Sequence, residues 1–240
     1  MKALFLSDAH LQSREDANYH FLSNFLDTLK EKIDHLFIVG DFFDFWFCRG
    51  EKLYPDFRTI VNKLTDLKNS GVQIHLCEGN HDFFLKKFFT DRHGMEVFPD
   101  WGTINLDGIL TFVSHGDTID TANTRYLMLR KLLRSRTFYQ IQEKIPPVIL
   151  WKIARMSSKI SNEHLAKSPD GLVEKMEAFS IEKFKEGFDA VILGHCHKPT
   201  IKQYTIDGRE KIFVTLGDWI SHYSYLVYEN GKFTLSVYQP

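Results

Sequence analysis

Two short motifs, Asp8-Ala9-His10 and His195-Cys196-His197, each place two metal-binding side chains two residues apart. In an extended segment that spacing puts both side chains on one face, as a shared metal site needs. Compatible donors recur at Asp41 in Gly40-Asp41-Phe42-Phe43-Asp44, Asn80 in Gly79-Asn80-His81-Asp82, and His115 in Ser114-His115-Gly116-Asp117. Any one of these alone reads as a turn or a helix cap. Here each follows an apolar run, and that repetition is the signal. Carboxylate, amide and imidazole donors together suit Mn²⁺, Fe or Zn²⁺, and the lack of thiolate ligands argues against a structural zinc site. Cys196, between two candidate ligands, is expected to point the opposite way, into the core. Two divalent ions ~3.5–4 Å apart can activate water and clamp the phosphoryl oxygens of an in-line displacement.

The elements that must carry these residues are visible in the periodicity. Leu4–Leu6, Leu36–Val39 and residues 190–193 are continuous apolar runs, 109–113 is largely apolar and 73–78 is half apolar; all read as buried strands. Leu22, Phe25, Leu26, Leu29 and Ile33 mark one face of a helix, and Phe57, Ile60, Val61, Leu64 and Leu67 mark a second, stopped by Gly71. Alternation of strand and helix predicts an α/β fold with a parallel sheet covered by helices. Ligand sites in such sheets gather at the carboxyl ends of the strands, where all the candidate donors fall. Residues 126–133, 148–156 and 171–185 read as helices, and Pro146-Pro147 separates the first two. Asp207-Gly208 and Asn230-Gly231 predict antiparallel hairpins near the end of the chain.

A chain of 240 residues, 43% hydrophobic with 21 Phe, has enough apolar mass for one domain, 1–240, with an insertion. A net charge of −1 gives no sign of a nucleic-acid partner. Three widely spaced cysteines fit a reducing compartment, and neither a signal peptide nor a spanning helix is apparent, so a cytoplasmic location is expected. His20, His35, His75, His93 and His164 are expected on the surface or in packing, with His222 near the mouth of the site.

The order Asp-x-His, Gly-Asp-x-x-Asp, Gly-Asn-His-Asp, His-Gly, Gly-His-x-His resembles the calcineurin-like metallophosphoesterase superfamily. The resemblance implies a four-layer αββα sandwich. It assigns Asp8, His10, Asp41 and His197 to one metal and Asp41, Asn80, His115 and His195 to the other, with Asp41 as the bridge. It also implies that His81 acts at the leaving oxygen, paired with Asp44, whose other reading is a helix N-cap. A carboxylate beside an imidazole favours imidazolium and fixes its orientation.

Residues 118–168 hold ten Lys and Arg against three Asp and Glu, interleaved with a wide apolar set. Composition alone allows a helix pair packed on itself, or a basic apolar surface for an acylated anion or a membrane face. Trp46, His115-Gly116-Asp117-Thr118 before Tyr126, Ala154-Arg155-Met156 and Lys167-Ser168 look like the UDP-2,3-diacylglucosamine hydrolases of lipid A biosynthesis. That resemblance implies a helical lid over 118–170 and cleavage of an acylated nucleotide-sugar diphosphate to UMP and 2,3-diacylglucosamine 1-phosphate. It further implies two divalent ions, with Mn²⁺ the expected metal and Fe or Zn²⁺ the alternatives, and peripheral contact with the inner membrane. Asn80, His81, Asn123, Tyr126, Lys159 and Lys167 would then meet the substrate head. Trp46, Phe138, Ile141, Ile153 and Met156 would line an acyl chamber. Two departures stand out: His81 replaces the Arg usual in those hydrolases, and Gly217-Asp218-Trp219 replaces their Ala-Trp. The competing readings are a soluble phosphodiesterase or phosphatase acting on nucleotides or phosphoproteins, and a non-catalytic scaffold, against which the complete ligand set argues.

Overall fold

A computed structural model of the chain describes residues 1–46, 53–142, 144–146, 148–150, 152 and 169–239. The apolar runs form β1 (Lys2–Leu6), β2 (His35–Val39) and β3 (Gln73–Cys77), each with four successive buried residues. They pair in parallel, with Leu4 beside Leu36 and Leu36 beside Ile74. On the β3 side the sheet is completed by β4 (Glu96–Phe98). On the β1 side it is completed by the antiparallel strands β10 (Ser224–Glu229) and β11 (Lys232–Val237).

Helices α1 (Ala17–Asp27), α2 (Arg58–Asn69) and α3 (Lys86–His93) accompany this sheet. Leu22, Phe25, Ile60, Leu64 and Phe89 from these helices share a core cluster with Leu4, Leu36 and Ile74 of the strands. The first helix is shorter than its apolar pattern predicts. The Thr28 hydroxyl donates to the Phe25 carbonyl at its end, and Leu29 and Ile33 reach the core from the turn that follows.

A second sheet has the order β5 (Trp101–Leu106), β6 (Ile109–Ser114), β7 (Ala190–Leu193), β9 (Arg209–Leu216), β8 (Pro199–Ile206). β6, β7 and β9 are mutually parallel neighbours, while β5 and β8 close the edges antiparallel. Val173, Met176 and Phe184 of α6 (Pro169–Lys185) pack on Phe112, Val191 and Phe213 of its outer face. Between the sheets Ala3, Phe5, Phe37 and Val39 meet Val113, Ile192 and Val214, and the rings of Phe5 and Phe37 stack with centroids 4.5 Å apart. Each buried Phe, Val or Ile among them contributes about 1.5–3 kcal/mol through removal from water. The layers are αββα, as the resemblance implied. Both hairpins form where Asp207-Gly208 and Asn230-Gly231 stand, all four residues at the positive φ that tight turns of this kind require.

Between β6 and α6 lie α4 (Thr124–Leu133) and α5 (Arg136–Gln142), followed by helical residues at 148–150. The α5 helix was not apparent in the sequence. Lys159, Lys167, Ile153 and Met156 lie outside the described residues. Among the described residues no helix is long and apolar enough to cross a membrane.

Candidate metal centre

The turns beyond β1, β2, β3, β6 and β7 meet at one edge of the sandwich. Strand-like bonding continues past the strand ends: Asp8 N donates to Gly40 O at 3.1 Å, His10 N to Asp41 O at 3.0 Å, and Gly194 N to His115 O at 3.1 Å. Asp8, His10, Asp41, His195 and His197 all adopt positive φ, between 44° and 68°. The two-residue spacing therefore does not work through an extended segment, as the sequence led us to expect. Each turn instead holds its ligands in left-handed conformations, which cost non-glycine residues of order 1–3 kcal/mol each and persist only where the surroundings enforce them. Between the two histidines Cys196 is buried with Val173 and Met176, as expected.

Asp8 and Asp41 each use one carboxylate oxygen to hold a neighbouring turn and turn the other inward. Asp8 Oδ2 accepts from His195 N at 2.9 Å, and Asp41 Oδ1 accepts from His81 N at 2.8 Å. Asp8 Oδ1, Asp41 Oδ2, His10 Nε2 and His197 Nε2 are buried with no hydrogen-bond partner among the described residues. His10 Nε2 is 4.0 Å from Asp8 Oδ1 and 3.7 Å from Asp41 Oδ2, while His197 Nε2 is 3.3 Å from Asp8 Oδ1. On the other side of Asp41, His115 Nε2 is 3.3 Å from Oδ2 and 3.1 Å from Asn80 Oδ1. His195 completes that group: ligand atoms of Asp41, His115 and His195 lie within 4.8 Å of one another.

Leaving a buried acceptor unmatched costs about 1–3 kcal/mol. Four of them aimed at one space, two on carboxylates and two on imidazoles, fit a cation. The outer nitrogens agree. His10 Nδ1 faces Asp44 Oδ1 at 3.4 Å, and His115 Nδ1 donates to Val39 O at 3.1 Å, so both rings can present an Nε2 lone pair inward. The electrostatics point the same way. Burial alone would lower the pKa of His115, but Asp41 beside it raises it to about 10. Burial likewise opposes the rise of His10 to about 9, which Asp44, Asp41 and Asp8 impose. Asp41 is held well below the carboxylate range against the effect of its burial, first by His115. The cluster thus carries strong negative potential where a cation would sit.

Two supporting residues, each within a stretch noted above, were given no role by the sequence. Asp82 accepts from the backbone N–H groups of Asp41, Phe42, Phe43 and Gly79 at 2.8–3.1 Å and so fixes the Asp41 turn. Burial and the nearby Asp41 push its carboxyl up to about 7. Asp218 stands behind His197, with Oδ2 3.7 Å from Nδ1. Asp82 lies within a motif already noted. Nothing in the sequence links Asp218 to His197.

His81 lies beside the centre, its ring edge-on to that of His10 with centroids 4.7 Å apart. Its Nδ1 donates to the Asp44 backbone carbonyl at 3.0 Å, and the Asp44 carboxylate is farther, at 3.7 Å. The expected Asp44–His81 pairing is therefore made chiefly through the Asp44 backbone, while the Asp44 carboxylate lies closer to His10. Phe45 and Trp46, the described residues that follow Asp44, are not helical.

The expected substrate residues divide. Asn123 caps α4, its side chain accepting from Tyr126 N at 3.3 Å. The Tyr126 hydroxyl donates to Asp117 at 2.7 Å, and Arg130 Nε bonds the same carboxylate at 2.6 Å. Arg134 donates to Gly79 O and to Pro99 O, each at 2.7 Å. The α4 helix is thereby tied to the loops that carry Asn80 and His115. Trp46 is 5% exposed, and its ring packs among Phe43, Phe57, Phe88 and Phe89. Ile141 is exposed and Phe138 half-buried. His222 reaches the edge of the centre through Asp218, to which its Nδ1 donates at 2.7 Å.

The fold and this donor set define a phosphoesterase. Residues 1–199 match the family model for calcineurin-like phosphoesterases, and the chain belongs to that family of metal-dependent hydrolases. Among curated relatives, the UDP-2,3-diacylglucosamine hydrolase of Vibrio atlanticus (strain LGP32) is 32% identical, over 98% of this chain and 96% of its own. The enzyme of that name from Pseudomonas aeruginosa (strain UCBPP-PA14) is also 32% identical, over 91% of both chains. A solved archaeal phosphodiesterase shares the fold, with a TM-score of 0.51 at 13% identity over 99% of this chain and all of its own.

Proposed function

We propose that this chain cleaves the diphosphate of UDP-2,3-diacylglucosamine, giving UMP and 2,3-diacylglucosamine 1-phosphate for lipid A synthesis. The observation that carries this reading is near-full-length similarity to hydrolases named for that substrate, which spans the insertion as well as the ligand blocks. Asp8, His10, Asp41 and His197 would hold one divalent ion, and Asp41, Asn80, His115 and His195 the other, with Mn²⁺ the expected metal. Such ions, when bound, supply water activation at neutral pH and neutralise charge on the phosphoryl oxygens.

The residues around them do the rest. With Nδ1–H committed to the Asp44 carbonyl, His81 has Nε2 to exchange a proton with the leaving oxygen. Asn80 directs its side-chain oxygen toward His115 and the centre. Between α3 and the α4–α5 pair runs a groove of about 990 Å³, lined by Phe84, Leu127 and Tyr139 with Lys86, Lys131 and Arg136 among its cations. Apolar side chains with six Lys and Arg against Glu78, Asp91 and Asp100 suit an anionic, partly apolar substrate. Met128, Leu129, Leu132, Val148 and Ile149 are exposed, within a segment rich in Lys and Arg. That combination supports peripheral contact with an anionic membrane from the cytoplasmic side. Lys159 and Lys167 are retained as proposed head-group contacts.

The test is chelation and add-back. Protein stripped with EDTA is expected to release no UMP from UDP-2,3-diacylglucosamine, and added Mn²⁺ to restore release of UMP with the acylated sugar 1-phosphate in equal amount. Turnover that persists without metal, or products other than these two, would count against the proposal.

A further inference from the structure

The turn after β9 carries a carboxylate that belongs to none of the ligand motifs. Asp218 is 3% exposed, and its Oδ1 accepts from three successive backbone N–H groups: Ile220 at 2.8 Å, Ser221 at 2.6 Å and His222 at 3.1 Å. Its orientation is therefore set without help from the metal centre. Oδ2 accepts from His222 Nδ1 at 2.7 Å and lies 3.7 Å from His197 Nδ1. The next residue ties the turn to a ligand loop, Trp219 N donating to Asp8 O at 3.1 Å.

Resting on the metal-centre reading above, we propose that Asp218 is a positioning residue for His197, holding that ring with Nδ1 protonated and Nε2 turned to the metal. A neutral imidazole has one N–H and one lone pair, and whichever nitrogen faces a fixed acceptor keeps the proton. At 3.7 Å the contact is electrostatic rather than a hydrogen bond. A desolvated carboxylate still favours the N–H on its own side of the ring. The opposite nitrogen, His197 Nε2, is 3.3 Å from Asp8 Oδ1, and both atoms are buried without a hydrogen-bond partner among the described residues. The arrangement repeats that of His10, backed by Asp44, and His115, backed by the Val39 carbonyl. Outer-shell acceptors of this kind raise ligand basicity, and their loss typically costs 10–100-fold in metal affinity. His222 shares Oδ2 and so tempers the effect on His197.

Titration of EDTA-treated protein with Mn²⁺, followed by electron paramagnetic resonance of free ion, tests this with a readout independent of turnover. Wild type is expected to take up two ions. Asp218→Asn keeps an oxygen for the three backbone donors but loses the charge, and is expected to weaken one ion 10–100-fold. The second ion and the metal-free melting temperature should stay as in wild type. His222→Phe leaves Oδ2 to His197 alone and should bind the same ion several-fold tighter. Asp218→Asn binding both ions as tightly as wild type would overturn the assignment. Unchanged or weaker binding in His222→Phe would do so as well, and that variant decides the matter if Asp218→Asn fails to fold. A wild type that binds no ion pair would instead sink the metal-centre reading beneath the inference.

Discussion

Gly79 faces Asp41 so closely that a methyl group on its α-carbon would stand 2.1 Å from Asp41 Oδ1 and 2.4 Å from Asp41 N. The glycine before Asn80 is therefore room for the Asp41 carboxylate, which lies between His10 and His115. Gly40 and Gly194 play the same part for His115 and Asp8, a Cβ at Gly40 falling 2.5 Å from His115 Nδ1 and one at Gly194 3.0 Å from Asp8 Oδ2.

Gly79→Ala should accordingly displace the Asp41 turn. The expected cost is about 1–3 kcal/mol of stability, as for overpacking in a well-packed core. Denaturant unfolding checks the energy and elemental analysis the metal content, which should fall together. A variant with wild-type stability and two ions would show that the turns do not need this contact.

His81 and Asp41 should separate chemistry from metal binding. His81→Ala is expected to keep both ions and lose about 10²–10⁴ in kcat, the range of a general acid. Asp41→Ala should lose ions and turnover together. Metal analysis beside steady-state rates distinguishes them, and an unchanged His81→Ala rate on the acylated substrate would remove the acid from the scheme.

Stability should depend on pH through a histidine pair far from the turns that bear the ligands. His35 Nδ1 lies 3.1 Å from His75 Nε2, and His75 Nδ1 lies 2.7 Å from Glu96 Oε2, across β2, β3 and β4. Burial lowers the pKa of both rings below the ordinary 6.5, in His75 despite Glu96. The unfolded chain then binds protons first, so stability is lost as pH falls below about 6.5. His75→Phe should flatten this limb of the unfolding free energy between pH 7 and 5. An equally steep fall in the variant would place the dependence elsewhere.

Most of the centre was legible because few residue types bind divalent ions and each had to follow a strand. Asp8, His10, Asp41, Asn80, His115, His195 and His197 meet at the strand ends, although Asp8, His10, His195 and His197 are left-handed and not extended. What escaped depends on distance and packing. Periodicity cannot say which of two sheets a strand enters, and β4 has three residues while β5 carries Gly102 and Asn105, poor strand formers. The Asp218–His197 contact joins turns from different strands. That Trp46 packs in the aromatic core with Phe57 and Phe89 is likewise a matter of tertiary packing that its place after Asp44 does not reveal.

The most direct test of the central claim is the ratio of kcat/KM for UDP-2,3-diacylglucosamine to that for bis-p-nitrophenyl phosphate, both with Mn²⁺. The account predicts a ratio far above one for wild type. It also predicts a fall toward one when the groove residues Phe84, Leu127 and Tyr139 are changed to Ser, with the generic ester turned over as before. A wild-type ratio below one would contradict it and favour a phosphodiesterase of broader range.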